Sequence, residues 1–306
     1  MENNLENQTE KQMEQKDVVR SNYVLAGSIF GAALMLSLSW LYANPINNRP
    51  ASVNLAALAN KVTPAKGIVL PIKWGDLGIK LTEAGVIDKD KFTEIYSGRG
   101  GLDSQSLALL NESGNNKITI NPQNASVLLN LFWALGLGNK NEILENGPMK
   151  DPQYGGAGGF ASTGGWTLAK GKAMDHYSMH GFINLTPEQQ KLVEETSKNI
   201  YRTCCGNSTH FPDCNHGMAM LGLLELMASQ EISESDMYKY ALAVNSYWFP
   251  DDYLTVAAFL QERGIEWKKA DAKSILGAEF SSGSGFRAIK KQIQQPINNG
   301  GGSCGV

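Results

Sequence analysis

The sequence predicts an all-α protein: one globular helical domain behind an N-terminal transmembrane helix. Three observations carry this. Apolar residues recur at helical spacing through most of the chain, helix-capping residues stand where those runs begin, and runs alternating at period two are scarce. One further segment, "YVLAGSIFGAALMLSLSWLYA" (Tyr23–Ala43), is 21 residues long and uncharged. A helix of that length spans a hydrocarbon core of about 30 Å.

The expected organisation follows in order. Residues 1–22 are polar and unpatterned, an arm without structure of its own. Residues 23–43 are the anchor, with Tyr23 at one interface and Trp40 and Tyr42 at the other. Leu41-Tyr42-Ala43 is a poor small-x-small cleavage site, which argues against a removable signal peptide. Lys11, Lys16 and Arg20 precede the span and Arg49 and Lys61 follow it. That small bias places the N-terminus inside and the large C-terminal part outside the cell membrane. Residues 44–66 read as a linker, 67–290 as the globular domain, and 291–306 as a flexible Gly-rich tail carrying Cys304.

Within the domain, Leu77, Leu81 and Val86, then Phe92, Ile95 and Tyr96, mark two helices. Asp103 suits the cap of "SQSLALLN". Asn121-Pro122 reads as a cap and first position for "QNASVLLNLFWALGLG", a segment apolar on all sides and hence central to the core. "WTLAKGKAMDHYSMHG" reads as a helix closed by Gly181. Thr186, Pro187 and Gln189 form a capping box for a helix running to Cys204 and Cys205. Asp213 or Asn215 then caps the next helix. Ser233 opens another helix, which stops near Pro250, and "DDYLTVAAFLQERG" makes the one after it.

A chain of 306 residues with 42% hydrophobic composition buries a sizeable core. Its formal net charge of −3 is opposite to that of a nucleic-acid binder. The glycines of "YGGAGGFASTGG" match no phosphate-binding motif, since there is no GxxxxGK[ST] and no strand leads into a GxGxxG.

The chemistry concentrates in "TCCGNSTHFPDCNHG", residues 203–217, which holds three of the four cysteines and two of the four histidines. Cys204 and Cys205 should end one helix while Cys214 and His216 begin the next. At a helix start the outward N–H groups favour thiolate over thiol. His176 and His180, four apart on the expected helix, would present two imidazoles on one face. With no Glu beside His176, this is not an HExxH protease site. The expected metal ligands are therefore His176, His180, Cys204, Cys205, Cys214 and His216, with zinc or copper as the ion. The spacing CC-x8-C-x-H matches no standard zinc finger, haem attachment or ferredoxin pattern, and it assigns no enzymatic reaction.

Two other accounts fit the same residues. Cys204 or Cys205 with Cys214 would be an exchangeable disulfide resolved by Cys304, in a protein lacking CxxC. Alternatively the cysteines staple a surface interaction module. Met218, Met220 and Met227 read as core filler before soft donors.

Overall fold

The computed structural model describes residues 54–293, and these are mostly helical. The expected anchor, Tyr23–Ala43, and Cys304 lie outside the described residues. Among the described residues no helix is long and apolar enough to cross a membrane.

The chain begins with α1 (Leu55–Val62), capped by the Asn54 side chain and burying Leu58 and Val62. Ordered packing therefore starts inside the segment read as a linker. Strand β1 (Ile68–Gly75) follows, then α2 (Leu77–Glu83), α3 (Lys89–Ser97) and α4 (Ser104–Asn111), the last capped by Asp103 as expected. Strand β2 (Gly114–Ile120) returns antiparallel to β1, pairing Ile68 with Ile120 and Lys73 with Lys117. This two-stranded sheet is a departure from a purely helical reading. Leu70, Ile72 and Trp74 alternate inward, but apolar Val69 and Pro71 between them hide the period.

The centre of the domain is α5 (Ala125–Gly138), buried along almost its whole length, crossed by α8 (Asn215–Ser229). The two backbones meet at Gly136 and Gly222. A Cβ on Gly136 would run into the Met218 carbonyl oxygen, and one on Gly222 into that of Phe132. Small residues at both positions let the helices approach backbone to backbone, which fixes where α8 begins. Asn121 does not cap α5. Its side chain accepts from the backbone N–H groups of Gln123 and Asn124, and the helix starts at Ala125. Met218, Met220 and Met227 are all in the core.

A short helix, α6 (Glu142–Asn146), leads into residues 147–185, which are irregular with 3-10 turns. The helix expected over 166–181 is absent. Ala173–Asp175 is a single 3-10 turn, and Ser178 has a positive φ of 55° that no α-helix admits. Helix α7 (Pro187–Lys198) carries the reciprocal Thr186–Gln189 capping box as read from sequence. It ends at Lys198, six residues before Cys204, so the cysteine pair sits in the following loop rather than on the helix. After α8 come α9 (Glu234–Trp248), capped by Ser233, and α10 (Pro250–Glu262), which packs on α1. Three short helices close the described chain: α11 (Ala272–Leu276), α12 (Ala278–Ser281) and α13 (Gly283–Lys290).

Candidate metal and thiol centre

Residues 199–213 form a loop pinned from several sides. Thr209 N–H donates to the Ile200 carbonyl and His210 N–H to that of Ser197, so the loop folds back on the end of α7. The Asn245 side chain on α9 donates to the Tyr201 carbonyl. Thr203 Oγ1 donates to Asp252 Oδ2 on α10 at 2.5 Å, and Gly283 N–H at the start of α13 donates to the Cys205 carbonyl at 2.7 Å. These anchors set the positions of Cys204 and Cys205 facing the first turn of α8.

That turn supplies the remaining groups. Cys214 is the N-cap of α8, its Sγ accepting the Gly217 N–H at 3.4 Å. The expected cap Asp213 has another role. Its Oδ1 takes Arg202 Nη2 at 3.0 Å and its Oδ2 takes Asn207 Nδ2 at 2.8 Å.

The three sulfurs meet around Cys214. Its Sγ lies 3.9 Å from Cys204 Sγ and 3.9 Å from Cys205 Sγ. A disulfide bond is about 2.05 Å, so no disulfide joins these cysteines. The spacing matches another geometry. Zn–S bonds of about 2.3 Å at the tetrahedral angle put neighbouring sulfurs about 3.8 Å apart. Cys204, Cys214 and His216 have donor atoms all within 4.8 Å of one another, and so do Cys205, Asp213 and Cys214.

Electrostatics fit deprotonated ligands. Hydrogen bonds from the neighbouring thiols hold the Cys214 thiol well below its usual pKa, and the Arg202 charge adds to that shift. The Cys205 thiol shifts the other way, raised chiefly by Cys214 and burial. Burial pushes the His216 pKa down to about 4, so its ring is neutral at pH 7, the form that ligates a metal. His216 packs against Phe249 and Trp248, and its Nδ1 is buried with no hydrogen-bond partner. An imidazole with a buried, unpartnered nitrogen, grouped with two thiols, has the chemistry of a metal ligand.

Arg202 was not among the sequence candidates, yet it is central. It is 0% exposed, and Nη2 reaches Cys205 Sγ at 3.1 Å and Cys214 Sγ at 3.3 Å besides Asp213. A lone arginine ordinarily reads as a surface residue, and nothing in "IYRTCC" marks it as buried.

His176 and His180 belong to neither donor group. They face each other, with Nδ1 of His176 3.1 Å from Nε2 of His180, and Nε2 of His176 lies 2.9 Å from the Lys170 carbonyl oxygen. Both ring nitrogens of His176 are thus engaged. The pair forms on an irregular segment, not on the helix face that its spacing suggests.

Comparison with known protein families, curated proteins and solved structures finds no match to this chain. The chemistry of the centre is the guide to function.

Proposed function

We propose that this protein binds a transition metal, zinc before copper, through the Cys/His cluster at the start of α8. The single observation that carries the reading is the preset donor geometry. Cys204 and Cys214 sulfurs stand one tetrahedral edge apart at 3.9 Å, with a neutral His216 nitrogen inside the same 4.8 Å group. Two thiolates suit zinc and copper(I), and imidazole suits both. The domain is held at the membrane by Tyr23–Ala43 with its bulk outside the cytoplasm, on the length and flanking charges of that segment.

The test is metal content of the full-length protein purified in detergent, together with thiol titration before and after chelation. The reading expects about one equivalent of zinc or copper, and thiols that become reactive only after the chelator. C214S and H216A should lose the metal. Metal-free wild-type protein that also fails to take up zinc or copper on titration defeats the proposal.

A second reading is favoured by the contrast between Cys214, held towards thiolate, and Cys205, held towards thiol, with both Cys204 and Cys205 sulfurs 3.9 Å from that of Cys214. In thiol–disulfide exchange, Cys214 thiolate attacks one sulfur of a partner disulfide and expels the other as thiolate. Cys204 or Cys205 then attacks the Cys214 sulfur, releasing the second partner thiolate and leaving an internal disulfide. Metal-free protein that reduces a disulfide substrate stoichiometrically supports this reading over the first.

A further inference from the structure

The two donor groups share Cys214, but they are not equivalent. In the group of Cys205, Asp213 and Cys214 a cation is already in place. Arg202 Nη2 lies 3.1 Å from Cys205 Sγ, 3.3 Å from Cys214 Sγ and 3.0 Å from Asp213 Oδ1, touching all three donors at once. A guanidinium does not deprotonate in proteins, so this charge is permanent. Nor can it withdraw easily. Arg202 is wholly buried and backed by Gly217, where even a methyl group would lie 2.7–3.1 Å from the guanidinium atoms. Asp213 is fixed in turn by Asn207.

We infer that Arg202 is an internal cation that reserves Cys205 and Asp213, so that a bound metal takes Cys204, Cys214 and His216 and keeps its fourth position open to a Lewis base from solvent. This rests on the metal-binding reading above and specifies its ligand set. Charge supports it. Zn²⁺ with two thiolates and a neutral imidazole sums to zero, and Arg202 with Asp213 also sums to zero. The same count favours a divalent over a monovalent ion. Cys204 is the exposed member of the set, so solvent reaches the site. Three protein ligands and an open fourth position is the arrangement in which zinc polarises a bound water or carbonyl, rather than the closed four-ligand shell of a structural site. Arg202 would act as a positioning residue, through the sulfurs and not on the metal.

Cobalt(II) reports the ligand set, because its sulfur charge-transfer absorbance scales with the number of bound thiolates. In full-length protein in detergent, wild type and C205A are expected to bind one equivalent with equal charge-transfer intensity. C204S, which keeps one thiolate, should fall to half or lose the ion. Added imidazole or azide should shift the ligand-field bands of wild type and C205A alike. R202M frees Cys205, so its intensity should rise to about one and a half times that of wild type as a third thiolate joins. Should R202M not fold, C205A decides alone. Loss of a third of the intensity in C205A, or bands indifferent to added ligand, overturns the inference while leaving metal binding intact. Failure of wild type to bind cobalt or zinc overturns the metal reading itself.

Discussion

The guanidinium of Arg202 passes so close to Gly217 that a Cβ there would lie 2.7 Å from Nη2 and 2.8 Å from Cζ. In an open helix, replacing Gly with Ala is favourable by roughly 0.5–1 kcal/mol. Here the added methyl meets a wholly buried charge with no room to move, and such overpacking costs about 1–3 kcal/mol. G217A is therefore expected to lower stability by a net of roughly 0–2.5 kcal/mol, the difference between those two effects. Urea unfolding of both proteins measures it. A gain in stability would mean that Arg202 is not lodged against the first turn of α8.

Much of the frame was readable from local chemistry, because its signals are local. The Thr186 capping box, the Asp103 and Ser233 caps and the all-round apolar α5 each depend on residues within one turn. What escaped depends on distant partners. Arg202 is buried because Asp213, Cys205 and Cys214 converge on it from across the loop. The β1–β2 pair is set by partners 39 to 52 residues away, with its inward alternation masked by Val69 and Pro71. The i,i+4 spacing of His176 and His180 suggested a helix, but Gly171 and Ser178 at positive φ turn the chain instead. The histidines meet all the same.

Stability of the metal-free protein should depend on His216 in acid. Its folded pKa is depressed to about 4 by burial, against an ordinary value of 6.5. Between those values the unfolded chain binds the proton and the folded one does not, so stability falls as pH drops from 6.5 towards 4. The loss attributable to His216 is on the order of 3 kcal/mol over that window. H216N lacks the titrating ring and should show a flatter dependence from pH 7 to pH 4 in urea titrations. Parallel curves for the two proteins would refute a buried neutral His216.

Glu225 acts in the opposite direction. It is wholly buried in the middle of α8, where Oε2 accepts from Asn139 Nδ2 at 2.9 Å and Oε1 has no hydrogen-bond partner. Burial holds its pKa well above 4.5. The folded state therefore keeps the proton that the unfolded state releases, and stability declines as pH rises from 4.5 through the raised value. Each unit of the shift is worth about 1.4 kcal/mol. E225Q is isosteric, retains an acceptor for Asn139 and cannot ionise. Its stability relative to wild type is expected to climb steadily with pH above 4.5, measured by thermal or urea unfolding at pH 5, 6.5 and 8. A constant difference across that range would show that Glu225 is ionised in the fold.

His176 and His180 offer a check on where the metal chemistry ends. The Lys170 carbonyl can only accept, so His176 Nε2 carries a hydrogen, and in the neutral ring His176 Nδ1 accepts from His180 Nε2–H. Both nitrogens of His176 are thus committed to protein partners in a segment that also bonds to the end of α5, through Ser178 N–H to Leu137 O and His180 N–H to Gly138 O. H176A removes two hydrogen bonds from a buried side chain and should cost about 1–3 kcal/mol of stability. H180A removes one from a half-exposed ring and should cost about 0.5–1.5 kcal/mol. Neither substitution touches the sulfurs or His216, so zinc stoichiometry and affinity should match wild type within twofold, whereas H216A abolishes binding. A tenfold loss of zinc affinity in folded H176A or H180A would return these imidazoles to the metal site and redraw the centre around them.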